Sequence, residues 1–249
     1  MTVKLFLHGV PDSPAIWRPL LALLQLEQGQ AFTPALPGFV EPLPPGFSAT
    51  KEGYLQWLIA EMERLAADHG PIDVVGHDWG AILVQRAAML RPDLVRSWII
   101  SNAVIEPEYR GHRMARIWNT PILGEIFMAL ARPARLAQSL KQAGIPAEIA
   151  DEEAAQWNRA DKKRAILRLY RSAEGLSFAG NWARDIDRLP AAGALIWGVG
   201  DPFVTLDVAQ RYHKRTGTPL FPIEGAGHWA IAERPMQVAE TMKDFWKNL

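Results

Sequence analysis

Apolar residues follow two patterns that alternate along most of the chain. Short apolar runs, which are typical of buried strands, cover residues 3–7, 31–36, 72–75, 95–101, 194–197 and 219–223. Longer stretches between them carry apolar residues at helical spacing, and the clearest of these begins at Thr50 and stops near Gly70. Strands that alternate with helices favour a sheet covered on both faces, so the pattern predicts an α/β fold with a mostly parallel sheet.

The alternation stops between residues 106 and 187, where helical patterns are interrupted only by prolines and glycines. An all-helical insertion between two strands predicts a cap over the carboxyl edge of the sheet, which is where ligands bind in open α/β folds. We therefore expect a core domain made of residues 1–105 and 188–249, with a helical cap of residues 106–187 inserted into it.

Composition narrows the class of protein. Lys+Arg and Asp+Glu are both 27, so the net charge of zero gives no indication of nucleic-acid binding. The absence of cysteine excludes disulfides, thiolate metal sites and a cysteine nucleophile. The N-terminus has no signal-peptide pattern, and no stretch reaches the roughly 18 to 20 apolar residues that span a bilayer. These features predict a cytoplasmic protein with no membrane partner. Composition does not distinguish a monomer from a homodimer. Ten tryptophans indicate a bulky apolar cavity.

The segment Gly76-His77-Asp78-Trp79-Gly80 has the layout of a nucleophile elbow. An apolar strand leads into a small-x-nucleophile-x-small turn, and a helix-like pattern follows, so the central side chain is lifted above the sheet edge. The central residue of an elbow is usually serine, whereas here it is Asp78. A carboxylate can attack carbon and form an alkyl ester, which suits displacement at carbon better than acyl transfer.

Two further residues complete a candidate catalytic set. Asp201 and His228 each follow a predicted strand, in the chain order nucleophile, acid, histidine. We predict that Asp78 attacks the substrate, that His228 activates water against the resulting ester, and that Asp201 orients the imidazole. The backbone N–H groups of Val10 and Trp79 would stabilise the oxyanion. Taken singly, each residue could be a cap or turn residue; together they predict a catalytic site.

The chain resembles the α/β-hydrolase superfamily over nearly its whole length, and within it the epoxide hydrolase and haloalkane dehalogenase branch. Besides the elbow, the resemblance rests on three motifs, His8-Gly9-x-Pro11, Trp197-Gly198-x-Gly200-Asp201-Pro202 and Gly227-His228-Trp229. It implies an α/β-hydrolase fold and hydrolysis without cofactor or metal. Since the His-Gly motif lies so near Met1, we expect the first strands of the family to be missing or rudimentary.

The resemblance also implies acids that protonate the oxygen of an opened epoxide. Epoxide hydrolases use cap tyrosines for this purpose, and Tyr170 lies 201 − 170 = 31 positions before Asp201, close to the family position of the second one. The alternative for Tyr170 is a buried residue of an amphipathic helix. Tyr109 and His112 are alternatives for the first donor, although either could equally be a solvated loop residue. Trp118 is a candidate for the cavity lining, with a core role as the alternative.

Haloalkane dehalogenases instead need N–H donors for the departing halide. Trp79 is one candidate donor; Val10 stands where one group has an asparagine, so Trp118 or Trp157 would have to compensate. Haloacetate dehalogenases carry arginines just after the nucleophile, where this chain has Trp79 and Ile82. An esterase is disfavoured by the lack of an elbow serine, and a binding protein by the intact Asp/Asp/His set. The sequence therefore favours hydrolysis of a small hydrophobic epoxide by water, with haloalkane dehalogenation as the runner-up.

Overall fold

The computed structural model describes residues 2–176, 178, 180–189 and 191–249. Its described strands form one six-stranded sheet in the order β2-β1-β3-β4-β5-β6, and every neighbouring pair is parallel. The strands are β1 Lys4–Leu7, β2 Ala31–Phe32, β3 Ile72–His77, β4 Val95–Ser101, β5 Ala192–Gly198 and β6 Leu220–Ile223. The predicted α/β fold with a parallel sheet is confirmed, and no described strand precedes β1.

The described helices lie in the connections between the strands and after β6. They are α1 Arg18–Leu24, α2 Lys51–His69, α3 Trp79–Leu90, α4 Arg113–Asn119, α5 Leu123–Leu130, α6 Pro133–Gln142, α7 Ala147–Gln156, α8 Ala160–Ser172, α9 Leu206–Thr216, α10 Ala230–Glu233 and α11 Pro235–Lys247. Short 3-10 turns add Pro14–Trp17, Pro92–Leu94, Glu174–Leu176 and Gly180–Trp182. None of the helices in the described ranges is long and apolar enough to cross a membrane.

The sheet separates two hydrophobic cores because successive strand residues point to opposite faces. Leu5 and Val74 lie in the first core with side chains of α2, α3, α8 and α9. Their neighbours Phe6 and Val75 lie in the second core, which α1, α10 and α11 cover. Burial on both faces explains why the strands read as continuous apolar runs in the sequence.

Local sequence signals account for several element boundaries. The side chain of Thr50 accepts a hydrogen bond from the N–H of Gly53 at 3.2 Å, so it caps α2 as predicted. Gly70 ends the same helix with a φ of 71°. The second strand is shorter than the predicted 31–36, because Pro34 has no N–H and the N–H of Leu36 donates to the His8 ring at 3.0 Å.

Between β4 and β5 the described residues contain helices and turns and no strand. We call α4 to α8 the inserted helices. Helix α8 packs against both α4 and α2, which joins the inserted helices to the first core. The division into a core domain and a cap at residues 106 and 187 stays a prediction.

Parallel pairing brings the carboxyl ends of the strands to one edge of the sheet. There Leu7 of β1 pairs with Gly76 of β3, and His77 pairs with Ser101 of β4. The loops that leave β1, β3, β4, β5 and β6 therefore meet at this edge, which is where the predicted site residues lie.

Candidate active site

Asp78 occupies a sharp turn between β3 and α3. Its φ of 51° and ψ of −124° are values that a residue other than glycine rarely adopts. The chain can fold this tightly because Gly76 and Gly80, two positions before and after Asp78, lack side chains. A Cβ on Gly76 would lie 2.5 Å from the carbonyl oxygen of Gly80, and one on Gly80 would overlap the carbonyl oxygen of Leu7. The turn has the geometry predicted for a nucleophile elbow.

The two carboxylate oxygens of Asp78 have different surroundings. Oδ1 accepts a hydrogen bond from the backbone N–H of Val10 at 2.7 Å, whereas Oδ2 lies 3.5 Å from Nε2 of His228. Burial raises the pKa of Asp78, but the hydrogen bond and charge of His228 outweigh it and hold the pKa below its usual value. The carboxylate is therefore ionised, with one oxygen held in place and the other facing the imidazole. Trp79 provides the first N–H of α3, directly after Asp78.

His228 lies between two carboxylates. Its Nδ1 is 2.8 Å from Oδ2 of Asp201, on the opposite side of the ring from Asp78. Burial disfavours protonation of His228, but the charges and hydrogen bonds of Asp201 and Asp78 outweigh it and raise the pKa of the imidazole well above 6.5. His228 is thus an imidazolium while both carboxylates are ionised.

Asp201 is held by donors on both of its oxygens. Oδ1 accepts the N–H groups of Phe203 and Val204 at 2.8 and 3.0 Å, and Oδ2 accepts Nδ2 of Asn102 at 2.8 Å as well as His228. Burial raises the pKa of Asp201, but these partners, foremost the charge of His228, lower it overall. Its position is therefore fixed, which in turn fixes the orientation of the imidazole.

Asn102 is a site residue that the sequence analysis did not single out. It follows β4 directly, has a φ of 56°, and donates from Nδ2 to Asp201 and, at 3.2 Å, to the carbonyl oxygen of Gly227. It therefore connects the loops that carry Asp201 and His228. The available signal was its place: it is a polar residue immediately after a buried strand, at the carboxyl edge of the sheet.

A third buried carboxyl group, Asp12, lies against Trp229 and His77 and was also missed. Both of its oxygens lie 3.1 Å from Nε1 of Trp229, and Oδ2 is 3.6 Å from Nε2 of His77. Burial, reinforced by the charge of Glu153, raises the pKa of Asp12 well above 3.8. Burial lowers the pKa of His77 to about 3. Both groups are therefore neutral near pH 7, and the signal for Asp12 was its place directly after the His8-Gly9-x-Pro11 motif.

A cavity of about 540 Å³ opens above Asp78, between the sheet edge and the inserted helices. Its inner lining includes Val10, Asp78, Tyr170, Phe203 and His228. Its outer lining comes mainly from apolar residues of α4 to α6, together with Trp157. A volume of this size suits a small organic ligand, and the largely apolar lining suits a hydrophobic one.

Tyr170, on α8, is brought to the same cavity as Asp78. Its ring lies between two indoles, with its centroid 5.3 Å from that of Trp79 and 5.0 Å from that of Trp118, both in edge contact. Burial, together with the charge of Asp78, raises the pKa of its hydroxyl well above 10, although a hydrogen bond with the Trp79 side chain opposes the shift. The hydroxyl therefore keeps its proton and can donate it within the cavity.

The two alternatives for the first donor differ in what their polar atoms contact. The hydroxyl of Tyr109 donates to the carbonyl oxygen of Phe203 at 3.1 Å and accepts the N–H of His112 at 3.0 Å, and Tyr109 does not line the 540 Å³ cavity. His112 does line it, and its Nδ1 accepts the N–H of Ala115 at 3.2 Å. Burial lowers the pKa of His112 to about 4. The neutral ring therefore carries its proton on Nε2, where it can donate.

Trp118, the remaining predicted lining residue, also borders the cavity. Its indole Nε1 is buried and has no hydrogen-bond partner in the part of the chain that the structure describes. Buried N–H groups are normally paired, so this unpaired donor is an exception, and it belongs to a side chain that lines the cavity. Of the predicted residues, those that line this one cavity are Asp78, His112, Trp118, Tyr170 and His228, and Asp201 contacts the cavity only through His228.

Comparison with known proteins identifies the class. A model of the alpha/beta hydrolase family matches residues 5–241, and the chain belongs to this family.

Known relatives include both activities considered from the sequence. Epoxide hydrolase 2 of Siraitia grosvenorii is 33% identical over 97 residues, which is 38% of this chain and only 30% of that protein's length. A haloalkane dehalogenase of Bradyrhizobium diazoefficiens is 27% identical over 215 residues, 78% of this chain and 67% of that protein. The crystal structure of an epoxide hydrolase from Vigna radiata has a TM-score of 0.77 at 17% identity, covering 100% of this chain and 92% of that one. That structural likeness shows the fold.

Proposed function

We propose that this protein hydrolyses a hydrophobic epoxide to a vicinal diol through an ester of Asp78. The observation that carries the proposal is the position of an ionised carboxylate on the elbow, between the N–H of Val10 and the ring of His228, at the base of a cavity that Tyr170 also lines. A serine at this position would lead to acyl transfer, whereas a carboxylate leads to displacement at carbon.

In the first step, Oδ2 of Asp78 attacks an epoxide carbon and the carbon–oxygen bond of the ring breaks. The electron pair stays on the epoxide oxygen, which takes a proton from the Tyr170 hydroxyl, with Nε2–H of His112 as a second donor. Oδ1, already bonded to the N–H of Val10, becomes the ester carbonyl oxygen. General acid assistance of this kind typically contributes about 10²–10⁴-fold.

Ester formation itself prepares His228 for the second step. Asp78 loses its negative charge, and that charge is one of the causes of the raised pKa of His228. The pKa of the imidazole therefore falls, and its proton returns to the deprotonated donor. The same ring that is an imidazolium in the free protein becomes a neutral base when the ester is present.

In the second step, His228 takes a proton from water, and the hydroxide adds to the carbonyl carbon of the ester. The N–H groups of Val10 and Trp79 bind the oxyanion at Oδ1. The bond to the substrate oxygen then breaks, and that oxygen takes the proton of the newly added hydroxyl. The diol leaves, and the ionised Asp78 and protonated His228 are restored.

The test is turnover of a panel of neutral epoxides, followed as diol formation. Asp78→Ala should abolish turnover, and Tyr170→Phe should reduce it by about 10²-fold, the lower end of general acid assistance. Tyr212→Phe is the matched control, because the Tyr212 hydroxyl donates to the carbonyl oxygen of Ile186 away from the cavity. Diol formation that persists in Asp78→Ala would refute the mechanism.

Haloalkane dehalogenation is the second candidate, and the free indole N–H of Trp118 favours it. In that reaction Asp78 displaces a halide, which leaves with the bonding electrons and needs N–H donors rather than an acid. The unmodified protein would then release halide from chloro- or bromoalkanes. Loss of this release in Trp118→Phe, and its retention in Tyr170→Phe, would favour dehalogenation over epoxide hydrolysis. Failure of both panels would leave a binding protein with an α/β-hydrolase fold.

A further inference from the structure

Two arginines line the same cavity as Asp78. Arg132 precedes the first turn of α6 and Arg135 lies within that turn, and both side chains are exposed. Neither guanidinium forms an ion pair or a hydrogen bond with any residue that the structure describes. In contrast, Arg171 of α8 is paired with both carboxylate oxygens of Glu125 at 2.6 and 2.7 Å. The two cavity arginines are thus cations whose donors are available to a ligand.

The charges around the cavity are separated along its length. Asp78 is the only carboxylate among the described residues that line it, and His228 lies beside Asp78. The two arginines instead belong to the outer lining, where α5 exposes apolar side chains. Leu123, Ile126 and Leu130 are 47%, 50% and 73% exposed. The cavity therefore combines an anionic base, an apolar middle and a cationic, apolar-edged opening.

We propose that the cavity binds an amphipathic anion, a substrate with an apolar body and a terminal carboxylate. Arg132 and Arg135 would bind the carboxylate at the opening, because a guanidinium matches the two oxygens of a carboxylate. Asp78 and Asp201 together outweigh the single positive charge of His228, so the base of the cavity repels the same group. The substrate therefore enters with its electrophilic carbon towards Asp78 and its anion outwards. The N-terminus of α6, which no side chain caps, adds a favourable dipole at the same place. The identity of the electrophile, an epoxide, rests on the proposed function.

The test compares 10,11-epoxyundecanoate with its methyl ester, which differ in charge and share the epoxide and the chain. In the unmodified protein, kcat/KM for the carboxylate should exceed that for the ester by about tenfold, the scale of two exposed ion pairs, with the difference in KM. In the double variant Arg132→Gln/Arg135→Gln the ratio should fall to about one. Arg164→Gln/Arg168→Gln is the matched control, since it removes the same charge from exposed positions of α8 outside the cavity, and it should keep the ratio.

This inference is overturned, and the proposed function stands, if the two substrates have equal kcat/KM values. The same holds if the preference for the carboxylate over the ester is unchanged in Arg132→Gln/Arg135→Gln. If neither epoxide is hydrolysed, turnover of the panel of neutral epoxides still decides the proposed function, and calorimetry with decanoate and methyl decanoate decides the inference alone. Decanoate binding that weakens in the Arg132/Arg135 variant and not in the control supports it. Equal binding by all three proteins contradicts it.

Discussion

Replacing Asp201 by asparagine isolates the role of the carboxylate behind His228. The two side chains have the same shape, but the amide must put an NH₂ group where one oxygen was. In the unmodified protein, Oδ2 of Asp201 accepts from His228 and Asn102, and Oδ1 accepts from the N–H groups of Phe203 and Val204. Either orientation of the amide therefore sets a donor against donors, and the negative charge is lost.

The size of the effect follows from the bond between Asp201 and His228. A hydrogen bond to a charged group contributes about 1.5–3 kcal/mol. The charge of Asp201 and its hydrogen bond both favour the imidazolium, so the pKa of His228 should fall when the carboxylate becomes an amide. The raised pKa means that His228 stays protonated above pH 6.5 in the unmodified protein and releases its proton as the pH rises through the higher value. In Asp201→Asn this release should move to lower pH. Loss of ring orientation should slow ester hydrolysis by about 10²–10⁴-fold.

Imidazole nitrogen NMR can follow the titration without any substrate, because the chain has only six histidines. Burial holds the pKa values of His8, His77 and His112 at about 3, 3 and 4, so their signals should stay separate from that of His228. Exposed Asp244→Asn serves as the charge-matched control. If the pKa of His228 is unchanged in Asp201→Asn, or if ester hydrolysis keeps its rate, Asp201 does not have this role.

Two further predictions concern stability. Because the pKa of Asp12 is raised in the folded protein, Asp12 ionises at lower pH in the unfolded chain, and the native protein loses stability as the pH rises above about 4. Asp12→Asn removes this loss, so its Tm should exceed that of the unmodified protein by an amount that grows from pH 5 to 8. A constant Tm difference over this range, measured by calorimetry, would contradict this. Lys162 is fully buried 3.5 Å from Glu153, so Lys162→Met should cost about 3–5 kcal/mol in denaturant unfolding. Adding Glu153→Gln should recover part of that loss, because it removes the unpaired charge and keeps an oxygen that accepts from Ser13. A double variant that is less stable than Lys162→Met would show that the unpaired charge of Glu153 is not the cause of the loss.

Sequence reasoning succeeded where the determining signal is local. The strand 95–101 was predicted with its observed bounds, and Thr50 and Gly70 mark the ends of α2 because capping depends on residues within one turn. The turn at Asp78 follows from its flanking glycines in the same way. One local signal not used in the sequence analysis is Pro235: α10 and α11 divide at Arg234 and Pro235, since proline favours the first turn of a new helix.

The contacts that the sequence did not predict join residues that are far apart along the chain. Asn102 contacts Asp201 across 99 positions, and Tyr109 donates to the carbonyl oxygen of Phe203 across 94 positions. No spacing in the sequence encodes these contacts. They also explain why Tyr109, which resembled a substrate-binding residue, has its hydroxyl occupied by the main chain, whereas His112 keeps Nε2–H for the cavity.

The most direct test of the central claim is the intact mass of the His228→Gln variant after exposure to an epoxide panel and, separately, to a haloalkane panel. Without its base, the variant should form the Asp78 ester and fail to hydrolyse it. Opening of an epoxide by Asp78 should give a mass gain equal to one whole epoxide, and this gain should be absent when Asp78→Ala is added. A gain of the alkyl group without halogen would replace epoxide opening by dehalogenation. A folded variant that forms no adduct with either panel would contradict the covalent mechanism.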